Sequence, residues 1–222
     1  MCGRFALHKT LSEIAGLFNA EIGEDGLWDW EPNYNISPGT VIPIVALDGR
    51  RTPKVVPMRW GLHPHWKKEP PEGRPMFNAR VETAAEKPSF RTPFRRRRCL
   101  IPMNGWYEWD RYEGAKRPFF IHEKDSDFTV AAGLWDQWRV DEGITLLSAT
   151  MLTTAAVGEM KHLHHRMPVR LDESDWDNWM DWDSKPDKVL SRMKGSDDLT
   201  WYEVSNEVNS GRSQGAHLKD AI

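Results

Sequence analysis

The chain begins Met1-Cys2-Gly3-Arg4, and Cys2 is the residue with the most distinctive chemistry. Removal of the initiator methionine leaves Cys2 with an α-amine and a thiol on adjacent carbons. The amine titrates near ~8 and the thiol near ~8.5, so both have nucleophilic forms close to neutral pH. Together they can trap an aldehyde as a closed five-membered ring. The alternative is that Cys2 is an incidental residue of a loose terminus, as first residues often are.

A second candidate is Glu108, a carboxylate within the aromatic segment NGWYEW at 104–109. Strand alternation predicts that Trp106 and Glu108 share one face and that Tyr107 and Trp109 share the other. Glu108 either lies on the wet face of an amphipathic strand or lies in an apolar cleft. In a cleft, desolvation raises the pKa of a carboxyl toward values useful for acid–base catalysis.

A third candidate is the histidine group His162, His164 and His165. A zinc-binding pair on a helix needs histidines four positions apart, as in HExxH, and that spacing is missing here. A histidine acting as a proton shuttle fits the segment better than a metal site. Arg166, which follows directly, has the geometry to hold a phosphate.

Two further segments carry polar chemistry. Asn78 precedes Arg80 by two positions; Asn78 can cap a helix over 79–85, and Arg80 is either a surface charge or a phosphate contact. The basic run at 95–98 is either solvated or lines a nucleic-acid groove. Cys99, which follows it, is expected to be a buried small hydrophobe.

Composition limits the classes of protein to which the chain can belong. Its 222 residues, 39% hydrophobic and 28% charged, suit one globular domain or at most two small ones. No apolar run approaches the ~20 residues of a membrane span, and the start lacks a secretory signal. Two cysteines do not make a disulfide framework, which predicts a reducing cytosol. The net charge of −3 argues against indiscriminate binding to nucleic acids, although arginines crowd residues 91–98. Some of the 12 tryptophans could stack on bases.

The elements that must position these residues follow from periodicity and turn signals. Thr10 and Glu13 fit a capping box and predict a helix over 10–19. Strands are predicted at 41–47, 54–60, 99–103, 106–109, 118–122, 128–135, 144–149, 169–171 and 199–204, and helices at 79–85, 154–161, 175–182 and 186–193. Strands dominate the middle without regular β-α alternation. This favours an α+β domain on a mostly antiparallel, barrel-like sheet.

Eight ordered motifs give the chain a resemblance to a known family. They are MCGRF at 1–5, YNISPGT at 34–40, RWGL at 59–62, FNARVET at 77–83, CLIPMNGWYEW at 99–109, PFFIH at 118–122, AAGLW at 131–135 and HHRMPV at 164–169. In these motifs the chain resembles the SRAP (SOS-response-associated peptidase) family along nearly its whole length.

The resemblance implies a single SRAP domain over residues 1–222. Its fold would be α+β, with a central curved, mostly antiparallel, barrel-like β-structure, flanking helices and a basic groove for single-stranded DNA. Family members act on abasic sites in single-stranded DNA, and their processed N-terminal cysteine forms a covalent cross-link with the ring-opened sugar. Cys2 is thus expected to form an imine through its amine and then close a thiazolidine through its thiol.

Three further catalytic roles are implied by the same resemblance. Glu108 matches the family's catalytic glutamate, which moves protons during imine formation and ring closure. His164 matches the family histidine that assists sugar ring opening and reversal of the link. Asn78 matches the asparagine that orients the cysteine and the opened sugar.

The resemblance also implies five DNA contacts. Arg80 and Arg166 match phosphate contacts beside the lesion, and Arg4 and Trp66 match positions in the DNA groove, with Trp66 stacking on a base. Pro38 matches a residue that wedges against bases next to the site.

Two departures from the family pattern accompany this match. Family members can carry two adjacent tryptophans, but here His65 stands in the first position. The cluster at 91–98 is also more basic than the family needs.

The activities implied are an abasic-site (AP) lyase side reaction and a peptidase activity that exposes Cys2. We expect no metal or organic cofactor, no membrane partner and a monomer bound to single-stranded DNA that contains abasic sites. The expected location is the cytoplasm, with the nucleoid in a bacterium or the nucleus in a eukaryote.

Two other functions stay open. An N-terminal-nucleophile amidohydrolase can also begin Met-Cys-Gly and use a trimmed cysteine with its α-amine as base, but the downstream glutamine-binding pattern is missing. A non-catalytic module for single-stranded DNA would need the groove and not the Cys2 chemistry.

Overall fold

The computed structural model describes residues 2–23, 28–110, 116–141 and 143–222, so that Met1, whose removal the sequence predicts, lies outside them. The strands in these residues are β1 (Phe5–Leu7), β2 (Glu21–Ile22), β3 (Asn33–Ile36), β4 (Val41–Leu47), β5 (Pro53–Trp60), β6 (Asn78–Arg80), β7 (Arg98–Met103), β8 (Gly105–Asp110), β9 (Arg117–Glu123), β10 (Thr129–Asp141), β11 (Ile144–Ala155), β12 (Arg166–Pro168) and β13 (Leu199–Glu203). The helices are α1 (Leu11–Leu17), α2 (Val81–Ala84), α3 (Arg91–Arg96), α4 (Met160–Leu163), α5 (Glu173–Met180) and α6 (Pro186–Leu190), with 3₁₀ helices at Asn206–Asn209 and Ala216–Lys219.

A closed five-stranded barrel forms the centre of the molecule. Strands β11, β10, β7, β4 and β5 pair in that order, all antiparallel, and a short parallel pairing of β5 with β11 closes the ring at Arg59–Ser148 and Trp60–Ala149. Further along β11, residues 151–155 pair with β6 and β12. The predicted α+β fold with a barrel-like, mostly antiparallel sheet is confirmed.

A second, antiparallel sheet lies beside the barrel, in the order β13-β9-β8-β1-β3. Each of its faces carries buried residues. Trp106 belongs to the main core together with barrel residues, whereas Tyr107 packs in a smaller cluster on the opposite face. The predicted alternation along β8 is therefore present, and it directs Glu108 to the same side as Trp106.

Gly105 is required where β8 meets β9. A Cβ atom at this position would lie 2.5 Å from the carbonyl oxygen of Ile121 and 2.5 Å from a ring carbon of Phe120. No side chain fits such a gap, so glycine here allows the two strands to approach.

Local signals predicted several elements correctly. The capping box at α1 is present, since Thr10 accepts from the Glu13 amide and Glu13 accepts from the Thr10 amide. The helix predicted at 154–161 is wrong over most of its length, because β11 extends to Ala155 and only Met160–Leu163 is helical. Pairing of Thr153 and Thr154 with β12 extends the strand beyond its predicted end.

The arginines of 91–98 do not form one surface. Arg95 and Arg96 are exposed, as the solvated interpretation expects. Arg98 is 2% exposed and donates to the carbonyls of Trp179 and Ser184, which joins β7 to the end of α5. Cys99 is fully buried, as predicted. None of the helices in the described residues is long and apolar enough to cross a membrane.

Candidate active site at the amino terminus

Cys2 is fully buried rather than loose. Its position follows from the pairing of β1 with β8, since Phe5 lies opposite Trp106 and the Tyr107 amide donates to the Arg4 carbonyl at 2.9 Å. This register brings the residues before Arg4 alongside Glu108. Burial raises the pKa of the Cys2 thiol, and the charge of Glu108 raises it further. The expectation that Cys2 lies in a loose terminus is therefore wrong.

Glu108 is 2% exposed, so the wet-face interpretation of this residue is also wrong. Desolvation by burial raises the pKa of Glu108 to about 7. A carboxyl with this pKa is present in both protonation states near neutral pH and can act as acid or as base.

His164 lies between α4 and β12 with its ring directed at Glu108. Its Nδ1 atom is 3.6 Å from Glu108 Oε1. The Arg166 amide donates to the same nitrogen at 3.1 Å, and the Arg166 carbonyl oxygen lies 2.9 Å from it. These contacts fix the plane of the imidazole, and 15% of the side chain is exposed. His165, by contrast, is exposed.

Asn78 does not cap a helix. It begins β6, the N-cap of α2 is Arg80, and the Asn78 Nδ2 atom donates to the Cys2 carbonyl at 2.6 Å. Its Oδ1 atom is buried and has no hydrogen-bond partner among the residues described. The helix-cap interpretation failed because the partner of Asn78 lies 76 positions away in the sequence.

These four side chains form one cluster: Asn78 holds the backbone of Cys2, and His164 faces Glu108, whose charge acts on the Cys2 thiol. The cluster offers an amine-bearing nucleophile, a carboxyl that exchanges protons near neutral pH and an imidazole at the surface. In the described part of the chain, no group of three or more histidine, cysteine, aspartate or glutamate side chains could hold a metal ion.

The predicted DNA contacts fall into exposed and buried sets. Trp66 is 52% exposed in the loop between β5 and β6, Arg80 is exposed, and Pro38 is half-buried in the turn after β3. Arg4 is half-buried and donates to Asn35 Oδ1 at 2.6 Å and to the Val208 carbonyl at 2.7 Å.

Arg166 is 8% exposed and forms a two-point ion pair with Glu82. Its backbone lies at the cluster because it contacts His164.

Two supporting residues were missed by the sequence analysis. Asn35 is 1% exposed and joins Arg4 to the carbonyls of Ser210 and Ser213. Glu82 holds Arg166. Asn35 lies in the motif YNISPGT and Glu82 lies in the motif FNARVET. Their positions in the same motifs as Pro38 and Asn78 are the sequence feature that could have identified them.

Position 65 also has a structural role. The His65 amide donates to Asp136 Oδ2 at 3.0 Å, and the ring nitrogen Nδ1 lies 2.8 Å from the same oxygen. Arg97 pairs with the other oxygen of this fully buried aspartate. His65 therefore anchors the loop that carries Trp66.

Known proteins resemble this chain over its full length. Abasic site processing protein YoaM of Bacillus subtilis is 36% identical over 100% of this chain and 98% of its own. Abasic site processing protein YedK of Escherichia coli is 32% identical over 98% of each chain. A crystal structure of a Bacteroides thetaiotaomicron protein superposes with a TM-score of 0.86 at 22% identity, covering both chains completely. The sequence profile of the SOS response associated peptidase (SRAP) family matches residues 1–211. The chain belongs to the SRAP family.

Proposed function

We propose that this protein processes abasic sites in single-stranded DNA by capturing the ring-opened sugar covalently on Cys2. The observation that carries the proposal is the buried cluster at the amino terminus, in which Glu108, with its pKa raised to about 7, acts on Cys2 and faces His164. The names of the relatives YoaM and YedK, both abasic site processing proteins, support the substrate.

The first step is imine formation. After removal of Met1, the α-amine of Cys2 attacks the C1′ aldehyde and gives a carbinolamine. Protonated Glu108 donates a proton to the departing hydroxyl, so that water leaves, the imine remains protonated on nitrogen, and Glu108 becomes a carboxylate. The carbonyl of Cys2 is held by Asn78 during this step, and the unpaired Asn78 Oδ1 atom can accept from the carbinolamine.

The second step closes the ring. The Cys2 thiol gives its proton to the carboxylate of Glu108, and its sulfur adds to the carbon of the protonated imine, whose nitrogen keeps its proton and becomes the ring amine. The product is a thiazolidine, and one water has been lost overall. Base catalysis is needed here because burial raises the pKa of the thiol and leaves little thiolate at neutral pH.

The imine can also undergo a competing elimination reaction. It acidifies the C2′ proton, and loss of the 3′ phosphate by β-elimination would be the AP lyase reaction. Ring closure consumes the imine, so we expect cross-linking to dominate over strand scission. The proposed peptidase activity is removal of whatever precedes Cys2.

The DNA path is part of the proposal. Exposed Arg80 contacts a phosphate beside the lesion and exposed Trp66 stacks on a base, while Pro38 wedges between bases. Arg4 and Arg166 border the same path. The protein acts as a monomer and without a cofactor.

The test uses a single-stranded oligonucleotide with one abasic site, followed by denaturing electrophoresis and intact mass spectrometry. We expect a heat-stable adduct whose mass is the sum of the Met1-free protein and the DNA minus one water. Cys2→Ala removes it. Cys99→Ala is the matched control, since Cys99 is also a fully buried thiol, and it keeps the adduct.

Three outcomes contradict the proposal. An adduct that survives Cys2→Ala excludes the Cys2 mechanism, and binding without any adduct favours a non-catalytic DNA-binding module. Hydrolysis of glutamine without an adduct favours the amidohydrolase. A residue that remains in place before Cys2, as intact mass spectrometry verifies, tests the amine separately, because it leaves the thiol intact and should abolish the cross-link.

A further inference from the structure

Arg166 and Glu82 form a bidentate ion pair at the edge of the site. Arg166 Nη1 donates to Glu82 Oε1 at 2.7 Å, and Nη2 donates to Oε2 at 2.9 Å. Nη2 also donates to the carbonyl and the hydroxyl of Thr153. Parallel bonds of this kind fix the guanidinium in direction as well as in position.

The pair joins the two halves of the cluster. Glu82 lies in α2, which follows β6 directly, and β6 carries the Asn78 that holds Cys2. Arg166 begins β12, and its backbone amide and carbonyl contact the His164 ring. Thr153 lies between them on β11, which pairs with both β6 and β12.

The geometry limits what Arg166 can offer to DNA. Both of its terminal nitrogens are bonded to Glu82, and the remaining Nε atom is buried without a hydrogen-bond partner in the described residues. A phosphate that accepted hydrogen bonds from both Nη atoms of Arg166 would have to displace Glu82. Arg80, two residues before Glu82, is exposed and is better placed to contact a phosphate.

We infer that Glu82 is a positioning residue for the reaction: through Arg166 it fixes the His164 ring against Glu108 and ties it to the Asn78–Cys2 half of the site. The expected effect on the reaction rests on the proposed function. The link from Glu82 through Arg166 to the His164 ring is independent of that function. The opposing possibility is that Glu82 only masks the charge of Arg166 and weakens DNA binding.

The experiment separates rate from affinity in Glu82→Gln, which keeps the shape of the side chain and removes its charge. The cross-linking rate is measured at saturating abasic-site DNA. The dissociation constant is measured at several salt concentrations with DNA that carries a tetrahydrofuran analogue, which lacks the aldehyde. We expect the rate to fall ~10- to 100-fold, the cost of a small misplacement of reacting groups, while affinity and its salt dependence stay unchanged. Glu82→Asp keeps the charge and should restore much of the rate.

Asp175→Asn is the matched control. Asp175, on α5, also accepts two hydrogen bonds from one arginine, in this case from Nε and Nη2 of Arg192. We expect this variant to lower the melting temperature without slowing the reaction, so that a general loss of stability is separated from loss of positioning. A Glu82→Gln variant that reacts at the original rate overturns the inference, and tighter DNA binding at that rate establishes masking instead.

A second readout needs no DNA. Imidazole signals in NMR spectra of the free protein report the His164 ring directly, with exposed His217 as the reference. A His164 signal that moves in Glu82→Gln while that of His217 does not supports positioning, and an unmoved His164 signal overturns it. If the unmodified protein forms no adduct, the proposed function fails while the NMR result still decides the role of Glu82.

Discussion

Replacing Glu108 with glutamine should stabilise the protein and disable the proposed reaction, because the same burial that tunes this carboxyl also costs free energy. Burial raises the pKa of Glu108 from its ordinary value of 4.5 to about 7. At 1.36 kcal/mol for each pH unit, this difference corresponds to at most ~3 kcal/mol once the group is ionised. Because the folded state holds the proton more tightly than the unfolded state, the cost is absent below pH 4.5, grows as the pH rises to 7, and is complete above it.

The assay is denaturant unfolding of the unmodified protein and of Glu108→Gln at pH 5 and pH 8. We expect the variant's gain in free energy of unfolding to be ~2–3 kcal/mol larger at pH 8 than at pH 5. Exposed Glu86→Gln is the control and should show no such difference. A difference between Glu108→Gln and the unmodified protein that does not change with pH would refute the reasoning, since the carboxyl would then not be ionising at a desolvated site.

The reaction of the same variant completes the prediction. Loss of a positioned acid–base group typically costs 10²- to 10⁴-fold in rate, so cross-linking should fall by about that factor even though the fold is more stable. An amide has the shape of the carboxyl and cannot exchange the proton. Unchanged cross-linking would remove Glu108 from the mechanism.

Three further changes test the fold and the DNA path. Burial opposes ionisation of Asp198, but hydrogen bonds from Arg170 and Lys194 lower its pKa to about 2. The stability that Asp198 contributes is therefore present above its ordinary pKa of 3.8 and is lost as the pH falls toward 2. Asp198→Asn should remove this part of the acid transition seen by circular dichroism. Gly105→Ala should lower the melting temperature, at a cost of ~1–3 kcal/mol, because its Cβ meets a backbone oxygen at 2.5 Å. Trp66→Ala should weaken binding of single-stranded DNA by ~1–3 kcal/mol without changing the melting temperature, since Trp66 is 52% exposed; equal affinity in a fluorescence anisotropy titration would remove it from the DNA path.

Local patterns predicted the elements whose stability is itself local. The capping box of Thr10 and Glu13 involves residues three positions apart, and both of its hydrogen bonds are present. The alternation along β8 needs only the pleat of one strand, so the common face of Trp106 and Glu108 was predictable. The lengths of the strands were less predictable, because β11 continues to Ala155 through its pairing with β12, which follows it in the chain.

The partners inside the site were not predictable from spacing. Asn78 lies 76 positions from Cys2, and Glu82 lies 84 positions from Arg166, so only the closure of the barrel and the pairing of β6 and β12 with β11 bring them together. Burial of Glu108 is likewise a property of two packed sheets. A strand that is aromatic on both faces looks the same in sequence whether one of those faces meets water or a second layer of protein.

The electrostatics of the cluster set the order of the proposed steps. Burial raises the pKa of the Cys2 thiol and the pKa of Glu108, so at neutral pH the thiol is protonated and the carboxyl is in part protonated. A protonated thiol is a weak nucleophile and resists oxidation, so the amine reacts first with an arriving aldehyde. Once the imine forms, Glu108 has given up its proton to the departing water and is present as the carboxylate that the thiol needs. Each step therefore leaves Glu108 in the protonation state required for the next, and one carboxyl can serve both if its pKa lies near 7. An acid at its ordinary pKa would lack the proton for the first step, so the proposed mechanism requires the burial of Glu108 despite its cost to stability.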